Sequence, residues 1–210
     1  MDAPRGQAVR QGVRLETFTV AWMLLEAAAS IGAGILAGSA LLTAFGMDSL
    51  IELLSGAILL WRLLVEARGG EPERVEYTER RATWVVAVAL ALLCLYVLGT
   101  AAYGLATRVQ PDPSLVGIAI SAAAVLVMPW LAFQKRRVAQ AIDSSALRGD
   151  AASSITCGYM AATVLIGLVL DGLFHWWWAE DLAALVFLVW LVGETREVFE
   201  KAREGDTDAN

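Results

Sequence analysis

Six runs of apolar residues, each close to the roughly 20 needed to cross a hydrocarbon core of about 30 Å, divide this chain: 17–36, 40–61, 84–106, 114–133, 152–171 and 181–199. Hydrophobic residues make up 58% and charged residues 18% of the 210, with a mean hydropathy of +0.59. A soluble domain of that composition would hold far more apolar surface than it could bury, so the natural solvent is a bilayer. The predicted fold is an all-α membrane protein with six transmembrane helices. The expected organisation is an N-terminal segment 1–16, a six-helix domain 17–199 and a polar tail 200–210, with no folded soluble domain at either end.

Net charge is −6, but the placement of Lys and Arg carries more information than the sum. Arg5, Arg10 and Arg14 precede the first run; Arg62, Arg68, Arg74, Arg80 and Arg81 lie between the second and third. Lys135, Arg136, Arg137 and Arg148 lie between the fourth and fifth, and Arg196, Lys201 and Arg203 close the chain, so that only Arg108 falls on the other side. The positive-inside rule then places both termini in the cytoplasm. The first run contains Glu26 and lacks a small-residue cleavage site, so it reads as a retained helix and not a signal peptide. The Ala-rich, Arg-over-Lys usage points to a bacterial inner membrane as the location.

The Ala37-Gly38-Ser39 turn makes the first two spans antiparallel, and Pro111 and Pro113 end a helix between the third and fourth. The charged stretch 62–83 reads as a solvated helical extension broken at Gly69-Gly70-Glu71-Pro72. Trp176, Trp177 and Trp178 on one side and Trp61, Trp84 and Trp130 on the other form interfacial belts, with His175 exposed beside the first set. Gly34 and Gly38 form a GxxxG pattern that permits close helix contact. Cys94 and Cys157 fall in different spans at unrelated depths, so no disulfide is expected. Cys94 has no polar neighbour at helical spacing and reads as a small hydrophobe.

Ionisable groups deep in a bilayer cost about 2.5–3.5 kcal/mol each on insertion scales. Asp48 and Glu52 stand four apart, one turn from each other on one face of the second span. Two like charges so placed repel, and a proton is retained unless a cation sits between them. Glu26 lies at matching depth in the first span, on a face shared with Trp22, Ser30 and Ala33. No Lys or Arg is expected at that depth, so protons or an external cation must neutralise the three carboxylates. The fifth span opens with Asp150, Ser153, Ser154 and Cys157, oxygen and sulfur groups three or four residues apart.

These residues together resemble the cation diffusion facilitator family of six-helix metal efflux transporters. The segment from Gly38-Ser39 to Asp48-Ser49-Leu50-Ile51-Glu52 is similar to that family's second-span signature, and Ala146-Leu147-Arg148-Gly149-Asp150-Ala151 to the motif that opens its fifth span. The resemblance implies a metal site at Asp48, Glu52 and the positions of a family His and Asp on span 5, which here are Ser153 and Cys157. Glu26 is a further candidate ligand. Two carboxylates and a thiolate suit a tetrahedral ion such as Zn²⁺, and the thiolate favours Zn²⁺, Cd²⁺ or Co²⁺ over Mg²⁺ or Ca²⁺, with Mn²⁺ and Fe²⁺ as further alternatives.

The expected function is divalent metal cation transport, as a metal/proton antiporter exporting Zn²⁺ or a similar ion. The expected partners are lipid, the cation, protons and a second copy in a homodimer, with no nucleic acid and no tightly bound cofactor. A non-transporting membrane metal sensor or partner-binding protein is the alternative. A proton-coupled carrier of another substrate is a third possibility. No HExxH, P-loop or GxSxG pattern is present, so an enzyme is not expected.

Overall fold

The computed structural model describes residues 3–68, 73–108 and 110–207. Six helices run in order: α1 (Ala3–Ala37), α2 (Ala40–Ala67), α3 (Glu73–Thr107), α4 (Leu115–Ile142), α5 (Ser145–Phe174) and α6 (Ala179–Thr207). Five of the predicted spans lie inside one of them and the fourth begins at Ser114, the N-cap of α4, and no strand occurs among the described residues. Helices satisfy their own backbone groups, which lipid cannot do. The predicted break at 69–72 lies outside the described residues, as do the side chains of the charged stretch 73–82.

Four helices, α1, α3, α4 and α5, are long and apolar enough to cross a membrane by composition. The other two, α2 and α6, are as long, at 28 and 29 residues, and carry intramembrane carboxylates. At about 1.5 Å per residue even the shortest helix overruns a core of about 30 Å. Leu25, Ile35, Leu92, Leu95, Leu126 and Val189 all stand exposed around the bundle, an apolar belt that only lipid would cover.

The overruns gather at one end of the bundle, where the start of α1, the end of α2, the end of α4 and the start of α5 meet. Val9, Leu59, Leu63, Val138, Ala139, Ile142 and Leu147 form a separate apolar cluster there. Lys135, expected in a solvated loop, is a correction. Helix α4 continues through it, and it is fully buried, with Nζ 3.2 Å from Glu16 of α1 and in contact with Asp150 of α5. Its neighbours Arg136 and Arg137 point out to solvent. The lysine enters because the face it shares with Leu131, Ala132, Val138 and Ala139 is the packed one.

At the far end, the α1–α2 turn is built on Gly38, whose φ of +68° is a left-handed conformation suited to glycine. Ser39 there caps α2 through its hydroxyl, 3.1 Å from the Leu42 N–H, and donates to Glu180 at the start of α6. The Asp112 N–H donates to the Ala37 carbonyl at 2.8 Å, tying the α3–α4 connection to the same turn. Gln110 donates to Asp171 at 3.1 Å. The tryptophans at this end stack, Trp176 on Trp178, and Arg108 lies over Trp177; His175 is exposed and caps α5.

Helices α1 and α2 make the most extensive contact in the bundle, and small residues allow it. A Cβ on Gly46 would lie 2.7 Å from the Ile31 backbone nitrogen, and one on Gly34 would lie 2.6 Å from that of Thr43. Gly46→Ala is therefore expected to lower stability by about 1–3 kcal/mol through overpacking, read as an earlier unfolding midpoint in denaturing detergent. Gly32→Ala, where the added methyl meets open space, should be neutral or stabilising by at most about 1 kcal/mol. Lys135→Met alone should cost about 3–5 kcal/mol by stranding buried carboxylate charge. Adding Glu16→Gln and Asp150→Asn should return most of that loss in the same assay.

Candidate cation site

Helix α2 turns one face toward α1, α5 and α6, and that face carries Asp48, Ser49 and Glu52. All three are buried, Asp48 and Ser49 fully and Glu52 to 6% exposure. Neither oxygen of Asp48 has a hydrogen-bond partner, and Glu52 Oε2 also has none. The ion pairs seen among the described residues fall elsewhere, Lys135 with Glu16 and Asp150, Arg148 with Asp143, and Lys201 with Glu197.

Glu26 of α1 is fully buried and faces the same point. The Trp22 indole N–H donates to its Oε2 at 2.7 Å, and the Ser49 hydroxyl lies 2.7 Å from its Oε1. The Cys157 thiol of α5, also fully buried, lies 3.8 Å from that same oxygen. Ser30, on the predicted face of Glu26, is buried with its hydroxyl unpartnered.

Ser153 Oγ lies 2.6 Å from Glu52 Oε1 and 3.1 Å from Glu194 Oε1 of α6. One hydroxyl proton cannot serve two ionised acceptors fully. This group is complete only when one carboxyl keeps a proton or a cation lies among them.

Asp48, Glu52, Glu26, Ser153 and Cys157 thus converge from α1, α2 and α5 on one interior region. The rest of the polar stripe on α5 does not join them. Asp150 contacts Lys135, and Ser154 accepts from it at 3.3 Å. Positions 153 and 154 are about 100° apart on a helix, which sends one toward α2 and the other toward α4. Among the described residues, no three His, Cys, Asp or Glu side chains stand as a ready-made metal-holding group. Glu26 is held instead by Trp22 and Ser49, and Glu52 by Ser153.

Glu194 was not among the residues singled out from the sequence, although it lies inside the sixth apolar run, three residues after the buried Leu191 and four before Val198. That spacing on the packed face was the available signal. Cys94 likewise has a polar neighbour that its own helix does not reveal, since its sulfur lies 3.4 Å from Thr195 Oγ1 of α6.

A cleft of about 550 Å³ reaches this region. Glu52, Ser153 and Glu194 line it together with Met23, Ile51 and Leu90, and Arg62, Gly149 and Lys201 line it near the helix ends that carry the chain termini. Asp48, Glu26 and Cys157 are not among its lining residues, and the far end of the bundle is tied by Ser39–Glu180 and Gln110–Asp171.

The chain is 26% identical over 161 residues to Transmembrane protein 163 from Xenopus laevis, a stretch covering 74% of this chain and 56% of that protein. It therefore spans little more than half the length of the curated relative it matches. Residues 17–204, all six helices, match the cation efflux transmembrane domain, the mark of a family of transporters and not of enzymes. The chain is a multi-pass membrane protein and belongs to the cation efflux, or cation diffusion facilitator, family.

Proposed function

We propose that this chain exchanges a divalent metal cation for protons, exporting Zn²⁺ or a similar ion from the cytoplasm by alternating access. The observation that carries this reading is Asp48. It is a carboxylate with no solvent exposure and no partner on either oxygen, one turn from Glu52 on α2. In the interior of a membrane such a group requires protons or a cation.

The proposed ligands are Asp48, Glu52, Cys157, Glu26 and Ser153. Binding would trade the hydrogen bonds from Trp22, Ser49 and Ser153 for bonds to the ion. Asp48, Glu52, Glu26 and Cys157 bind metal in their deprotonated forms, so metal entry releases protons and an acidic compartment favours metal release. The thiolate tilts selection toward Zn²⁺, Cd²⁺ and Co²⁺. A cleft reaching Glu52 from one end, with polar ties closing the other, suits one-sided access to a site near the midplane, the general plan of secondary transporters. The cleft end would face the cytoplasm, where the positive-inside rule puts both termini, and the family resemblance supports a homodimer in a bacterial inner membrane. One observation favours the alternative of a non-transporting sensor, namely that the ligands are not pre-assembled.

Proteoliposomes loaded with a Zn²⁺ indicator, with and without an imposed proton gradient, separate the readings. Gradient-dependent Zn²⁺ flux is expected from the intact protein, with flux lost in Asp48→Asn. Cys157→Ala should shift the Zn²⁺ to Mn²⁺ preference toward Mn²⁺, and equilibrium Zn²⁺ binding should weaken as pH falls. Binding without flux would move the conclusion to a sensor. Proton flux unaffected by metals and by Cys157→Ala would move it to a carrier of another substrate.

A further inference from the structure

The ligand set proposed above draws on α1, α2 and α5 and leaves out α6, yet α6 places a carboxylate in the same region. Glu194 Oε1 lies 3.1 Å from the Ser153 hydroxyl that also contacts Glu52, and its Oε2 is sealed from solvent with no partner. Glu194, Ser153 and Glu52 all line the cleft that runs to the terminal end. The other acidic group on its wall, Asp150, is occupied by Lys135, and Lys201 is paired with Glu197 at 2.7 Å. Glu52 and Glu194 are thus the carboxylates along this cleft left for a visiting cation, and Glu52 is 94% buried with one oxygen unpartnered.

We propose that Glu194 is a cation ligand, forming with Glu52 and Ser153 a vestibule site at the inner end of the cleft, from which a divalent cation passes to Asp48, Glu26 and Cys157. This rests on the transport reading and deepens it. The vestibule offers two carboxylates and a hydroxyl from three helices, with water available from the cleft. All-oxygen donor sets of this kind accept Mn²⁺ and Mg²⁺ as readily as Zn²⁺. Discrimination among metals would therefore fall at the deeper site, where the thiol is. The chain also has Ser153 where the resemblance implies a histidine, and a serine is short enough to let an α6 carboxylate approach Glu52.

Mn²⁺ is the probe for the vestibule, because its paramagnetic resonance signal reports free against bound ion directly. With the full chain in lipid nanodiscs, Glu194→Gln is expected to weaken Mn²⁺ binding about 10- to 100-fold, as for loss of one charged contact. Glu200→Gln, an equal loss of charge at an exposed position of the same helix, should leave it unchanged. If Glu194→Gln binds Mn²⁺ as the parent does while the parent carries Zn²⁺, the vestibule is wrong and the transport reading stands. An equal loss in both variants would mean a general charge effect and would also overturn it. A parent that neither binds nor carries any of these ions removes both readings. If Glu194→Gln does not fold, Glu194→Cys in a Cys94→Ser background decides. A thiolate-to-metal absorption with Co²⁺ above that of the Cys94→Ser parent supports the assignment, and its absence in folded protein overturns it.

Discussion

The structure is organised around the cost of holding unpaired carboxylates inside a membrane. Glu26, Asp48 and Glu52 are buried where no lysine or arginine pairs with them among the ion pairs described. At roughly 2.5–3.5 kcal/mol each, three ionised groups would cost about 8–10 kcal/mol, comparable to the whole net stability of a typical domain. The bundle therefore does not tolerate them bare, and their neutralising partner has to come from outside the chain as protons or as a cation. The Trp22, Ser49 and Ser153 donors soften this cost without removing it, because a neutral hydroxyl or indole shares a charge and does not cancel it.

The same helices show the other solution a few turns away. Glu16, Lys135 and Asp150 join α1, α4 and α5 in a buried cluster that holds its own cation. That cluster sits beside a dedicated apolar core at the terminal end, and its one lysine offsets one of the two carboxylate charges it touches. Helix α5 divides its polar residues between the two arrangements, Asp150 and Ser154 toward the lysine and Ser153 and Cys157 toward the acidic region. The chain thus has a joint that carries a cation of its own next to one whose neutralisation depends wholly on what is bound, and a transporter needs that difference between scaffold and site.

Much of this was legible in the sequence, for identifiable reasons. Long apolar runs have few alternatives in a bilayer, so the six helices, the Gly38 turn and the Pro111–Pro113 break are placed by local rules. Asp48 and Glu52 were visible because mid-span charge is conspicuous. Lys135 and Glu194 were not, because each lies near the end of an apolar run beside other charged residues, where composition alone does not separate a solvated group from a buried one. Helical periodicity does better there. Lys135 shares a face with Leu131, Val138 and Ala139, and Glu194 with Leu191 and Val198, so both fall on packed sides. Which partners they meet depends on neighbouring helices, and no single-helix pattern carries that.

Two kinds of contact hold the far end of the bundle, and this limits how the site can be reached from that side. Near Gly34 and Gly46, α1 and α2 approach backbone to backbone, with no room for a Cβ. Contacts this tight act as a unit, because separating them forfeits close packing along the whole seam. The ties across the far end are polar, Ser39 to Glu180, Gln110 to Asp171 and the Asp112 N–H to the Ala37 carbonyl. Hydrogen bonds exchange with water at a net cost of only about 0.5–1.5 kcal/mol each. Any motion that opens the far end therefore meets least resistance by keeping the α1–α2 pair intact and releasing its turn from α6 and the α3–α4 connection. Such a movement shifts Glu26, Asp48 and Glu52 together relative to Glu194, so the three carboxylates on α1 and α2 would keep their mutual geometry while the two of the vestibule part.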